Sequence, residues 1–277
     1  MTSSTNGHST LLQLDNPSDG LKATRKIFSS TIDGEETIYT WEGKVYSHIQ
    51  DELDRHLFNI EGMNIRTTLS HHDDEKGLGF RMFSKEVMLF LDPVSNQILR
   101  EWTNPWTGET VKVFHVANDP ANSRPLYPRP NGFEGKVRNG NVLVSYQIPL
   151  LYANPLIEIP EGNQHSHYHA LEMFDFFLSE EDLIDAQSPR VKEISIAWNR
   201  ISQWEPWMKM GAKPGQLVFD ASGLRVNSWQ ELSKMLREEI EEKFPNCKTA
   251  PPLNDTRPNQ TNWSNYKSWL ARSNSKS

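Results

Sequence analysis

Three histidines at alternate positions, His165, His167 and His169, open a run that continues through Glu172 to Phe176. In an extended chain they project from one face, roughly 6.5–7 Å apart, so two could share a metal ion only with a carboxylate from a neighbouring strand. The alternative for this row is a polar, partly exposed strand start. The opposite face carries Tyr168, Ala170, Glu172, Phe174 and Phe176. A carboxylate among rings is costly to keep charged, which makes Glu172 a candidate for a raised pKa and acid–base chemistry. The competing reading is a structural ion pair with Arg200 if the two strands are neighbours. Arg200 shares a face with Ile194, Ile196 and Trp198, and a guanidinium in such a row needs a carboxylate, a carbonyl or an aromatic plane as partner.

Other candidates are scattered along the chain. His115 lies on the same side as Val111 and Val113, as a satisfied core histidine or as a general base or hydrogen-bond donor. Tyr146 belongs to the row Val142, Val144, Ile148 and, with Tyr168, could donate to a substrate carbonyl. Arg66, Glu86, Trp102 and Trp106 are candidate substrate contacts, as are Trp198, Trp204, Trp207 and Met208. The corner WEPWMKMG (204–211) reads as a tryptophan plug sealing a core or as a wall over an apolar pocket. His71, His72, Asp73 and Asp74 form a charged tip, read as a solvated turn with metal binding as the lesser alternative. A Gly-rich phosphate loop, a serine nucleophile elbow and a Cys–His pair are all missing, so the expected chemistry needs no cofactor and no metal.

The elements that must hold these residues are strands. Period-2 alternation marks residues 37–45, 57–69, 79–91, 98–102, 110–117, 142–151, 164–177, 193–202 and 215–226, separated by turn chemistry such as DPVSN (92–96) and NPWTG (104–108). Residues 79–117 are expected as a three-stranded meander. The Pro-rich stretch 118–135 reads as a lid, a binding loop or a packed excursion. Ser179 and Ser228 look like helix caps, the second opening an amphipathic helix to Lys243. Residues 1–20 read as a flexible arm, 21–245 as a single antiparallel β-barrel domain with that helix at its end, and 246–277 as a Pro/Asn-rich tail packed back through Trp263, Tyr266, Trp269 and Leu270.

The net charge of −7 over 277 residues argues against nucleic acid, and the single Cys247 rules out an intrachain disulfide framework. Residues 1–10 show neither a basic nor an apolar leader segment, and no run is apolar enough to span a membrane. The expected location is cytoplasmic. A homodimer stays open.

EGMNIR (61–66), EVMLFLDP (86–93) with NPWTG (104–108) and HVANDP (115–120), and WMKMG (207–211) together resemble the domain-of-unknown-function family 1838, over roughly residues 37–226. The resemblance implies a lipocalin-related, calycin-like barrel with peripheral helices and brings no catalytic residue set. It also implies, more weakly, a place in specialised metabolism. The expected activity is that of a cofactor-independent cyclase or isomerase of an apolar terpenoid or polyketide, such as a pericyclase closing a ring by an intramolecular Diels–Alder reaction. Confinement would do most of that work and a hydrogen bond the rest. The alternatives are a carrier of a hydrophobic small molecule and a metal-dependent hydrolase or isomerase using the histidine row.

Overall fold

The computed structural model describes residues 11–158 and 165–274. In chain order they form α1 (Pro17–Phe28), β1 (Thr37–His48), β2 (Arg55–Asp73), β3 (Gly77–Leu91), β4 (Glu101–Thr103), β5 (Thr110–Lys112), β6 (Val116–Asn118), β7 (Lys136–Arg138), β8 (Asn141–Ala153), β9 (His167–Ser179), α2 (Glu180–Ile184), β10 (Ile194–Ser202), β11 (Gln216–Val226), α3 (Lys234–Lys243) and α4 (Asn262–Asn274). The protein is mainly β. Nine strands make one antiparallel sheet in the order β6-β3-β2-β1-β11-β10-β9-β8-β7. Two meanders, β1 to β3 and β8 to β11, are joined where the first long strand pairs with the last, from Ile38 opposite Val226 to His48 opposite Gln216.

The sheet is curled. Tyr39 on β1 and Phe176 on β9 are separated by β11 and β10, about 14 Å on a flat sheet, yet their rings meet at 6.0 Å. Inward-facing rows follow the expected parity: Tyr39, Trp41 and Val45; Phe58, Ile60, Gly62, Asn64 and Arg66; Tyr168 to Phe176; Ile194 to Arg200. Both ends of the concave side are filled. At one end α1 inserts Ala23 and Ile27 beside Tyr39, Val144 and Phe176; at the other Trp207, Met208 and Trp263 pack with Phe58, Phe90 and Phe219. On the convex side α3 lays Leu236 and Ile240 over Met63, Ile65, Val87 and Leu89.

Several expectations change. The closed barrel is not made by the ladder, because β6 and β7 at its two ends do not pair among the described residues. The supposed arm is ordered from residue 11 onward: Leu12 is buried, and Asn16 caps α1 by accepting from the Ser18 and Asp19 N–H groups; residues 1–10 lie outside the described residues. The meander beyond β3 breaks up, since β4 pairs only with β5 in a separate ribbon while β6 returns to β3. The helix expected from Ser228 starts later, with Ser233 as its cap accepting from Leu236 N–H at 3.1 Å; residues 229–231 form a short 3₁₀ turn instead. Residues 118–135 pack rather than hang free, with Ala121 and Ser123 donating to Ser84 and Met82 along the β3 edge at 2.8 and 2.9 Å.

Candidate functional site

Register sets the central rung of the concave face. Arg200 on β10 stands opposite Glu172 on β9 and opposite Phe219 on β11, so all three side chains project inward together. Arg200 Nη1 lies 3.5 Å from Glu172 Oε1, Nη2 donates to the Tyr168 hydroxyl, and the guanidinium carbon sits 5.5 Å above the Phe219 ring. Tyr168 is held between Tyr152, stacked at 4.7 Å, and Trp263 of α4, edge-on at 5.0 Å. Behind Arg200 the buried Glu205 accepts from Asn262 Nδ2 at the start of α4.

Glu86 on β3 approaches the same centre from the other meander. Its Oε1 accepts from Asn118 Nδ2 at 2.5 Å, and Asn118 Oδ1 accepts in turn from Asn265 Nδ2 of α4 at 2.9 Å. Arg66 on β2 lies over the Tyr39 ring at 4.7 Å and gives its Nε to Asn64 Oδ1 at 2.7 Å. Trp41, Trp198 and Phe174 form the aromatic wall between these groups: Trp41 touches Trp198 at 5.9 Å, and Phe174 lies nearly parallel to Trp198 at 6.3 Å.

The electrostatics separate the roles. Burial raises the Glu172 carboxyl to about 7, with the Arg200 charge opposing that rise and Glu86 adding to it. Burial also raises Glu205 and holds the Tyr168 phenol at about 12. Near neutral pH Glu172 therefore exchanges a proton, Tyr168 keeps its own, and Arg200 stays charged. Since Arg200 donates to the Tyr168 oxygen, the phenolic proton is available to a second acceptor. Glu172 and Arg200 keep 19% and 12% of their side-chain surface exposed. A group of this kind can move a proton to or from carbon while two donors steady charge on a substrate oxygen.

The structure brings together Tyr168, Glu172, Arg200, Arg66, Glu86 and Trp198 and leaves other predicted residues elsewhere. His115 is a core residue: Nδ1 accepts from Phe90 N–H at 3.1 Å, the ring stacks on Phe90, and burial lowers its pKa to about 4. Tyr146 packs on Phe28 of α1 at 5.0 Å, at the α1 end of the concave face. Trp207 is buried against Phe58, Phe90 and Trp102, Met208 is fully buried, and Trp204 gives its Nε1 to Lys213 O at 3.0 Å, so the corner is a packed plug. Trp106 covers Trp204 from outside and donates to Glu52 at 3.1 Å. His165, His167 and His169 are exposed, and His167 and His169 lie on the convex face of β9; among the described residues no group of three or more His, Cys, Asp or Glu is placed to hold a metal ion. His71, His72 and Asp73 extend β2, and Asp73 caps the turn by accepting from Glu75 and Lys76 N–H at 3.0 Å.

Sequence reasoning missed Trp41, Asn118, Glu205 and Asn262. Glu205 carried a signal, a carboxylate set between Trp204 and Pro206 in an aromatic corner. Two surface depressions, of about 400 Å³ beside Glu35 and Arg190 and about 470 Å³ beside Met235 and Glu239, lie outside the concave face. In each, charged lining residues are already paired, Arg190 with Glu35 in the first and Glu239 with Arg100 in the second.

The segments EGMNIR, HVANDP and WMKMG thus contribute, in turn, the floor of the concave face with Arg66, the Asn118 link to Glu86, and the plug. A family model described as "Protein of unknown function (DUF1838)" matches residues 34–270. The chain belongs to the DUF1838 family. The match takes in every residue of the central rung and most of α4. A search of curated proteins finds no match for this DUF1838 chain. Among solved structures, the attachment invasion locus protein Ail of Yersinia pestis is similar over 70% of this chain and 100% of its own, at 7% identity and a TM-score of 0.20, a likeness too slight to carry any argument. No described helix is long and apolar enough to cross a membrane.

Proposed function

We propose that this DUF1838 protein is a cofactor-independent isomerase or cyclase of a small, largely apolar metabolite of terpenoid or polyketide type, held in the curled sheet. The observation that carries the reading is the Glu172 carboxyl, raised to about 7 by burial and set opposite Arg200 beside Tyr168. Structural ion pairs rarely need a carboxyl that titrates at neutral pH, whereas a general acid or base works best there. Glu172 takes a proton from, or returns one to, a substrate carbon, while Arg200 and the Tyr168 hydroxyl stabilise the negative charge gathering on a conjugated oxygen. Trp41, Trp198 and Phe174 restrict the substrate to folded conformers, which lowers the entropic part of the barrier and would serve a pericyclic closure equally. In this reading the curled sheet is a calycin-like barrel whose two end strands, β6 and β7, do not pair.

Purified protein incubated with polyene and polyketide intermediates, followed by comparison of product mass and retention, tests the reading. The expected outcome is an isomer of unchanged mass, formed by the wild type and lost in both Glu172→Gln and Arg200→Ala. Ligand retained without any chemical change would identify a carrier, and full activity in Glu172→Gln would remove the proton-transfer role.

A further inference from the structure

Four arginines point into or close off the concave face, and three of them have at least one terminal amino group engaged. Arg25 reaches Ser30 O, Thr68, Ser70 and Asp33; Arg225 gives Nη1 to the Lys26 and Ser29 carbonyls, with its Nη2 buried and unpartnered; Arg200 holds Tyr168 and Glu172 through its terminal amino groups, with its Nε buried and unpartnered. Arg66 differs. Asn64 takes its Nε and the Tyr39 ring supports its plane, but its two terminal amino groups form no hydrogen bond and no ion pair among the described residues. Tyr39 is itself fixed, its hydroxyl donating to Ile27 O at 2.5 Å. The guanidinium is thus held from behind and from the side, with its fork left over. Glu86 does not fill that fork, being turned to Asn118.

We propose that Arg66 receives the carboxylate of the ligand, and that the molecule bound in the concave face is an apolar carboxylic acid. This rests on the reading of the Glu172 site as a small-molecule site and adds the class of molecule. The planar fork matches a planar carboxylate through two parallel N–H···O bonds, a fit that an alcohol or an ester lacks. One fork suits a monoanion. From Arg66 the apolar body of the acid would run along Trp41 toward Phe174 and Trp198, which brings its far portion to Glu172 and Arg200. Arg66 fixes the orientation and takes no part in proton transfer.

The test uses 2-naphthylacetate, 2-(2-naphthyl)ethanol and 2-naphthyl phosphate, titrated by calorimetry against the full chain and three variants, with thermal unfolding to confirm that each variant folds. The wild type is expected to bind the carboxylate at least about tenfold more tightly than the alcohol and more tightly than the phosphate. Arg66→Gln should erase that preference while leaving the alcohol unaffected, Arg66→Lys should restore part of it, and Glu172→Gln should keep it whole. Equal binding of acid and alcohol by the wild type, or a preference that survives Arg66→Gln, would overturn the carboxylate assignment and leave the proton-transfer reading standing. A preference intact in a Glu172→Gln protein that also turns over substrate normally would do the reverse. Binding of none of the three overturns the assignment together with the site. Tighter binding of the phosphate overturns the monoanion.

Discussion

Trp41 on β1 lies against the bare Cα of its register partner Gly62 on β2, so closely that a Cβ at position 62 would stand 2.7 Å from the indole. Its partner on the other side is Gly223 of β11, where a Cβ would meet the Thr40 carbonyl and the Trp41 backbone. Glycine on both flanks lets the indole lie down across the sheet and reach Trp198. Gly62 occupies no special backbone conformation here; what it supplies is room. Gly62→Ala should cost about 1–3 kcal/mol through overpacking, and Trp41→Phe in the same chain should recover part of the loss. A urea-unfolding double-mutant cycle reads this directly: additive losses would show that the indole and the glycine do not constrain one another.

The raised Glu172 carboxyl makes stability depend on pH. Its folded value of about 7 lies above its ordinary 4.5, so the folded state binds the proton more tightly than the unfolded chain. The stability linked to that proton is fully present below about pH 4.5 and is lost as pH rises through about 7. Relative to Glu172→Gln, which does not titrate, the wild type should lose on the order of 2–3 kcal/mol between about pH 5 and about pH 8. Parallel pH dependence of the two proteins in guanidinium unfolding would mean that the carboxyl titrates as an ordinary one. The same proton should appear in wild-type turnover as a step near pH 7.

Trp207 and Arg200 should fail in different ways. Trp207 is 1% exposed and touches three aromatic rings, so Trp207→Ala should cost about 3–5 kcal/mol of stability. Arg200→Ala removes the counter-charge from Glu172 and the donor from Tyr168, and should push the Glu172 titration above 7. Unfolding curves of both variants, measured across pH, separate the plug from the site. A Trp207→Ala protein of full stability would contradict the packing described.

Much of the sheet was legible because a period of two is written plainly into β1, β2, β9 and β10, and one parity error would have turned every inward row outward. The same parity placed Glu172 and Arg200 on inward faces, and their pairing then needed only adjacent strands. Closure was not legible. Whether β6 meets β7 depends on how residues 118–135 run, and four prolines say only that the segment is irregular. The tryptophan corner was ambiguous for a related reason: Trp204 and Trp207 suit a plug or a wall equally, and only their neighbours Phe58, Phe90 and Lys213 decide. Asn118 and Asn262 carried no signal, since a polar residue at a strand end or helix start is ordinary. The histidine row stood out by spacing alone, but His167 and His169 lie exposed on the outer face of β9, where the His167 ring meets the Ser166 hydroxyl.

Asn118 should behave as the positioning group of Glu86. Its amide donates to the Glu86 carboxylate at 2.5 Å and receives Asn265 at 2.9 Å, so α4 is tied to the concave face through a side chain of β6. Asn118→Ala removes the inner donor and leaves a half-buried carboxylate with one partner fewer, a loss of about 1.5–3 kcal/mol for a hydrogen bond to a charged group. Asn265→Ala removes only the outer, neutral bonds to Asn118 and the Ala117 carbonyl and should cost about 0.5–1.5 kcal/mol. If the chain acts as a relay, Glu86→Gln should cost less in the Asn118→Ala background than alone, because the donor it disturbs is already gone, with a coupling of about 0.5–3 kcal/mol. Chemical unfolding of the four proteins of the cycle gives that coupling, and a value near zero would show that Glu86 is placed by its own strand alone. The ordering of the single losses is a second check: an Asn265→Ala cost equal to that of Asn118→Ala would mean that docking of α4, rather than the bond to the carboxylate, is what Asn118 provides.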